Sequence, residues 1–176
     1  MNFRNLNANE IEVKVKQVKE NGLICLLYKT ARTDMDLLDE TVGAENWEND
    51  YREIKGNLYA GIGIKQKDNS FIWKWDCGIE SREDGEGNEK KGEASDAFKR
   101  AGFRWGIGRA LYTSPFIWIT SEKAKIEKNE KGKLICKDNF SVEKIVYSED
   151  GKKIIALALW NDTLGRRAFI WQEAKK

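Results

Sequence analysis

The stretch Lys91-Gly-Glu-Ala-Ser-Asp-Ala-Phe-Lys-Arg-Ala-Gly-Phe-Arg-Trp-Gly-Ile-Gly-Arg-Ala-Leu-Tyr112 decides how the rest of the chain is read. As a helix of 3.6 residues per turn it lines up Ala94, Phe98, Ala101, Trp105, Gly108 and Tyr112 along one stripe. Lys99, Arg100, Phe103 and Arg104 point the other way, with Asp96 to offset their charge. An apolar stripe with small residues suits close packing. A cationic face with an aromatic ring suits a phosphate backbone with unstacked bases. The same pattern also describes an ordinary solvated face, with Asp96 and Arg100 as an i,i+4 pair.

Working upstream, residues 47–54, 57–65 and 71–80 read as three strands. In the second, Leu58, Ala60, Ile62 and Ile64 share one face and Tyr59, Gly61, Gly63 and Lys65 the other. Lys67-Asp68-Asn69-Ser70 is a hairpin turn, and residues 81–89 form a charged, glycine-bearing loop before the helix. Asp34 to Val42 is a helix stopped by Gly43, with Met35, Leu37, Leu38 and Val42 inward. Leu23 to Tyr28 is a strand. Residues 8–19 fit a helix or an alternating strand, and a short helix is favoured. Pro115 marks the end of the long helix. Strands follow at 116–120 and 167–171, with hairpins over 124–137 and 142–160. The fold class is α+β: a three-stranded antiparallel meander packed on a long helix, with further C-terminal β-hairpins. One domain over 1–176 is expected, with its core at 23–114 and a C-terminal β region at 116–176.

Lys and Arg number 31 and Asp and Glu 29, for a net charge of +2. Nucleic-acid binding therefore requires local segregation of charge rather than bulk attraction. Segregation is visible: residues 34–53 hold Asp34, Asp36, Asp39, Glu40, Glu45, Glu48, Asp50 and Glu53 against Arg52, and 99–109 is the basic opposite. The chain has no histidine, which removes imidazole bases, Ser-His and Cys-His dyads and most zinc sites. Cys25, Cys77 and Cys136 are dispersed without Cys-x-x-Cys spacing and read as reduced thiols. The N-terminus lacks an apolar signal region, and no run reaches the ~18 apolar residues of a membrane span. A soluble, cytoplasmic protein is expected, in the bacterial host cytoplasm if phage-encoded, without membrane contact.

The string Lys91-Gly92, then Asp96-Ala97-Phe98-Lys99-Arg100-Ala101, then Gly108-Arg109-Ala110-Leu111-Tyr112 resembles the signature helix of the single-strand annealing superfamily. That superfamily includes the "Rad fifty-two" type of recombination mediator and the phage annealing proteins called Sak. The resemblance is strong over 91–112, moderate over 44–80 and not argued beyond Pro115. It implies a β-β-β-α core, a ring- or filament-forming homo-oligomer, and single-stranded DNA as ligand. It also implies annealing of complementary strands in recombination and repair, of phage or bacterial type, with no enzyme activity and no cofactor. Lys99 and Arg100 match the pair lining the inner strand groove. Tyr28, with Lys29 and Arg32, is similar to the aromatic-plus-basic segment that contributes there. Lys65 and Lys67 resemble the basic hairpin feeding a second site. Arg104 stands one position beyond the family's next arginine, with Phe103 in that place. Candidate further partners are a phage exonuclease or a host single-strand-binding protein. The long recombinase-binding extension of the eukaryotic members has no counterpart, so recombinase loading is not expected.

Gly106-Ile107-Gly108 is not a dinucleotide loop, because Leu111 takes the third glycine's place; close helix packing is the simpler reading. Gly61 and Gly63 likewise suggest packing. Trp73, Trp75, Trp105, Trp118, Trp160 and Trp171 read as core or subunit-interface residues rather than stacking platforms. Two rival functions stay open. One is a metal-dependent nuclease built on Glu45 with Asp50, or on Asp76 with Glu80 and Lys90. The other is an oligomeric scaffold whose basic helix faces a neighbour's acidic 34–53 segment.

Overall fold

The computed structural model describes residues 1–79 and 89–174. In chain order its elements are β1 (Glu12–Lys19), β2 (Gly22–Tyr28), α1 (Ala31–Val42), β3 (Trp47–Ile54), β4 (Asn57–Lys65), β5 (Phe71–Cys77), α2 (Glu89–Trp105), β6 (Ile117–Thr120), β7 (Ile126–Lys128), β8 (Leu134–Cys136), β9 (Phe140–Tyr147), β10 (Ile154–Asn161) and β11 (Arg166–Gln172). They fall into two compact units. The first is Met1–Arg4 with Lys29–Arg109, and the second is Asn5–Tyr28 with Ala110–Lys176. The loop expected at 81–89 lies, up to residue 88, outside the described residues.

In the first unit β3, β4 and β5 form the expected antiparallel sheet, and α2 packs on it. Alternation along β4 assigns the faces. Ala60, Ile62 and Ile64 are wholly buried and pair with Asp76, Lys74 and Ile72 of β5. Gly61 and Gly63 lie opposite Trp75 and Trp73, whose indoles lie across them; a Cβ added at either glycine would stand 2.6 Å from an indole carbon. These glycines serve packing. The β3–β4 turn uses Lys55 at φ 54° and Gly56 at φ 75°, both in the left-handed region that suits a tight hairpin.

Helix α1 begins before Asp34 because the Thr30 hydroxyl accepts the Thr33 N–H at 3.1 Å and caps it. Its inward stripe is Thr33, Asp34, Leu37 and Leu38. Met35, expected inward, is exposed, because Asp34 takes the buried position next to it.

Helix α2 runs only to Trp105, not to Pro115. Gly106 at φ 106° and Gly108 at φ 68° break it, and a short 3-10 turn follows over Arg109–Thr113. The stripe read to Tyr112 therefore stops at Trp105, and Tyr112 is 69% exposed. A Cβ at Gly106 would meet nothing within 4 Å, so this glycine ends the helix rather than packing it.

The second unit is a six-stranded antiparallel sheet in the order β11-β10-β9-β1-β2-β6, with β7 and β8 as a separate hairpin. The helix favoured at 8–19 is instead a 3-10 turn at Ala8–Glu10 followed by strand β1. A bulge between Val15 and Gln17 explains the misreading. It inserts one residue, so Val13, Val15 and Val18 all stay on one face, opposite Leu27, Cys25 and Leu23, although their spacing is not strictly alternate. The hairpins expected at 124–137 and 142–160 and the last strand are present.

Candidate nucleic-acid interface

Arg100 and Arg104 are one turn apart on α2 and lean toward β5, which alternation turns so that Ile72, Lys74 and Asp76 face the helix. Asp76 takes Arg104 Nε at 2.9 Å and Arg100 Nε at 3.4 Å. Burial pushes the Asp76 carboxyl up, but the Arg104 hydrogen bond, the Cys77 N–H and the two guanidinium charges hold it below the usual carboxylate range. Asp96, expected to offset the basic face, accepts the Ile79 N–H at 3.1 Å.

Two more cations gather at the end of α2. Lys74 Nζ donates to the Arg104 carbonyl at 3.1 Å and stands 4.2 Å from the centre of the Trp105 ring. Arg109 Nη2 donates to the carbonyls of Phe103 at 2.8 Å and Arg104 at 3.0 Å. Both satisfy orphan carbonyls at the negative end of the helix dipole. Lys74, Arg100, Arg104 and Arg109 thus form a basic edge with Asp76 among them. Lys74 and Asp76 had not been read as part of it, and Arg109 only as the end of the basic 99–109 stretch. The available signal was cations at a helix C-terminus, obscured by the expectation that the helix ran on to Pro115.

The face read as a single cationic surface is divided in the structure. Phe103 bears on Lys29, whose ammonium lies 4.2 Å from the ring centre. Lys29 was expected to neutralise phosphate, but its side chain is 1% exposed. Nζ pairs with Asp34 Oδ2, also fully buried, and donates to the Lys99 carbonyl at 3.0 Å. Burial pulls the Lys29 ammonium down to about 8 against the raising effect of Asp34, with the Lys99 charge lowering it further. Burial pushes the Asp34 carboxyl up to about 6 against Lys29 and Lys99. Lys29 therefore supports the helix from within, enclosed rather than presented at the surface where it was expected.

Lys99 is half-buried, and Arg32 is exposed in the first turn of α1. Lys65, at the end of β4, and exposed Lys67, in the following turn, sit together at the β4–β5 hairpin as expected. Tyr28 ends β2 in the second unit, 37% exposed, with Lys14 Nζ 5.6 Å from its ring centre. Trp105 is half-buried and donates Nε1–H to the Ile62 carbonyl at 2.9 Å.

The carboxylates of the nuclease reading are engaged otherwise. Asp50 pairs with Arg52, Glu45 accepts from Asn46, and Asp76 holds the two arginines. Glu80 and the Lys90 side chain fall outside what the structure describes. Among the described residues, no three or more Asp, Glu, Cys or His side chains gather as a metal would require. No described helix is long and apolar enough to cross a membrane.

The first unit, a three-stranded meander backed by one helix with a basic edge, and the second, a six-stranded sheet, make this an α+β protein. The chain belongs to the Rad52/22 family of double-strand break repair proteins, whose family model matches residues 4–131. The match extends the likeness past Pro115 and gives the chain a role in DNA recombination and repair. No curated protein matches the chain.

Proposed function

We propose that this chain binds single-stranded DNA along the basic edge of α2 and promotes annealing of complementary strands, in a phage or bacterial setting, as a non-enzymatic oligomer. The observation that carries the reading is the placement of Arg100 and Arg104 together, 39% and 58% exposed, next to Lys99 on a rigid helix. Guanidiniums spaced one helical turn apart suit successive phosphates, and such contacts touch backbone without reading base identity. No chemical step is needed: the strand is held by its phosphates and its bases remain available for pairing.

Assembly follows from length. Strand phosphates lie ~6 to 7 Å apart and a domain of this size spans roughly 35 Å, so one protomer covers only a few nucleotides. Many protomers side by side supply the missing affinity. The acidic 34–53 segment, apart from buried Asp34, and exposed strand edges are the surfaces proposed for that contact. Lys65 and Lys67 would serve a second strand, and Tyr28 and Arg32 would support the first.

The test is fluorescence anisotropy with labelled ten- and forty-nucleotide strands, with and without magnesium, alongside light scattering and a gel of the products. Steep length dependence, a many-subunit species and intact DNA are expected. A monomer binding both lengths equally overturns annealing. Magnesium-dependent cleavage favours the nuclease, and an oligomer without DNA affinity favours the scaffold.

A further inference from the structure

The buried Lys29–Asp34 pair is not explained by stability. Ion pairs removed from water seldom outperform apolar residues of the same shape, because desolvation offsets their attraction. Here the arrangement is also incomplete: Asp34 Oδ1 is buried and has no hydrogen-bond partner. What the pair does have is a specific target. Lys29 Nζ reaches the carbonyl of Lys99, in the middle of α2, which within the helix already receives the N–H of Phe103. Gly102 makes the approach possible, since a Cβ there would collide with Asp34 Oδ2 and stand 3.2 Å from Lys29 Nζ. Two helices, the segment leading into one of them, and a glycine converge on the backbone of a residue expected to bind DNA.

We propose that Lys29 and Asp34 are positioning residues: together they pin the Lys99 carbonyl and so hold the Lys99–Arg100 step of α2 at the register that phosphate binding needs. The pin rests on the single-strand-binding reading above. It adds no net charge to the helix edge, because each ion neutralises the other. Its effect is geometric. Lys99 is the charged group facing the pair from α2, and its charge bears on both members. The pin is strongest while Lys29 is charged, because an ammonium donates more strongly than a neutral amine, and burial makes that charge easier to lose.

The test compares the parent with Lys29→Met/Asp34→Asn, which keeps the shape and removes both charges. If the pair were merely structural, this variant would melt below the parent yet bind like it where folded. The pin instead requires a melting temperature at or above the parent's with about tenfold weaker binding of a forty-nucleotide strand, the scale of one lost charge-assisted contact. The log-log salt slope should flatten by about 0.7. Hydrogen exchange over residues 99–105 should quicken while the N-terminal half of α2 keeps its protection. A third measurement needs no folded variant: parent affinity should fall as rising pH removes the Lys29 charge, which burial makes easier to lose. Where the variant folds, it should lack that part of the fall. Parent-like binding by the folded variant, unchanged exchange at 99–105, or a flat parent profile overturns the pin. A parent that binds no DNA overturns the function instead, and exchange still decides the pin.

Discussion

Asp76→Asn should tighten DNA binding. The Asp76 carboxylate, 17% exposed, holds the Nε of Arg104 at 2.9 Å and of Arg100 at 3.4 Å, and an incoming phosphate has to compete with it for both. Half-exposed pairs of this kind are worth about 0 to 1 kcal/mol each, so releasing the two lowers the cost of phosphate binding by about 1 kcal/mol, or about fivefold in affinity. The carboxylate also repels phosphate. At ~4 Å in water that repulsion is about 1 kcal/mol, screened over about 10 Å at 0.1 M salt. The gain should therefore be largest near 50 mM salt and shrink toward 200 mM, a range over which phosphate-driven binding falls by orders of magnitude (about 10³ or more). Asparagine keeps the side-chain oxygen that accepts the Cys77 N–H at 2.8 Å, so local structure is retained. Anisotropy across a salt series, with a parallel thermal melt, reads the outcome. A variant that melts like the parent but binds equally or more weakly would show that these guanidiniums are not the phosphate ligands.

Lys99→Ala/Arg100→Ala should remove most binding and flatten the salt slope by about 1.4, at roughly 0.7 per contact, with the melting curve nearly unchanged; parent-like binding at low salt would place the groove elsewhere. Gly102→Ala should destabilise by about 1 to 3 kcal/mol in denaturant titration, against the ~1 kcal/mol gain that alanine brings to an ordinary helix, because its Cβ would meet Asp34. Trp105→Ala should cost about 3 kcal/mol through lost packing and the lost indole hydrogen bond to the Ile62 carbonyl, seen as a lower denaturant midpoint rather than an isolated binding defect.

The Lys29–Asp34 pair also predicts the sign of a pH dependence. Burial lowers the pKa of folded Lys29 from its ordinary 10.5 to about 8, so between these values the unfolded chain holds more protons and stability rises with pH. Folded Asp34 takes up its proton near 6 rather than 3.8, so stability rises as pH falls through that window. Subtracting denaturant curves of Lys29→Met/Asp34→Asn from the parent's isolates the effect; a difference that stays constant from pH 4 to 10 contradicts it.

Much of the fold was legible because its signals are local. Alternation along 57–65 assigned both faces of β4, the Lys67–Ser70 and 130–132 turns placed two hairpins, and the ordered string from Lys91 to Tyr112 identified the family. Errors arose where a local rule has a nearby competitor. A bulge gave β1 a helix-like spacing, and two positive-φ glycines ended α2 well before its proline.

The amino-acid sequence by itself determined the meander, the helix and the cations that helix carries, because strand period, helix period and turn residues depend on neighbours a few positions away. Only the tertiary structure decided what those cations do. Lys29 lies five residues from Asp34 but seventy from Lys99, and its burial exists only because α1 meets α2 at Gly102. Asp76 is bound to the arginines only because β5 turns it toward α2. Desolvation and ion pairing depend on which groups share a small volume, and chain separation carries no record of that.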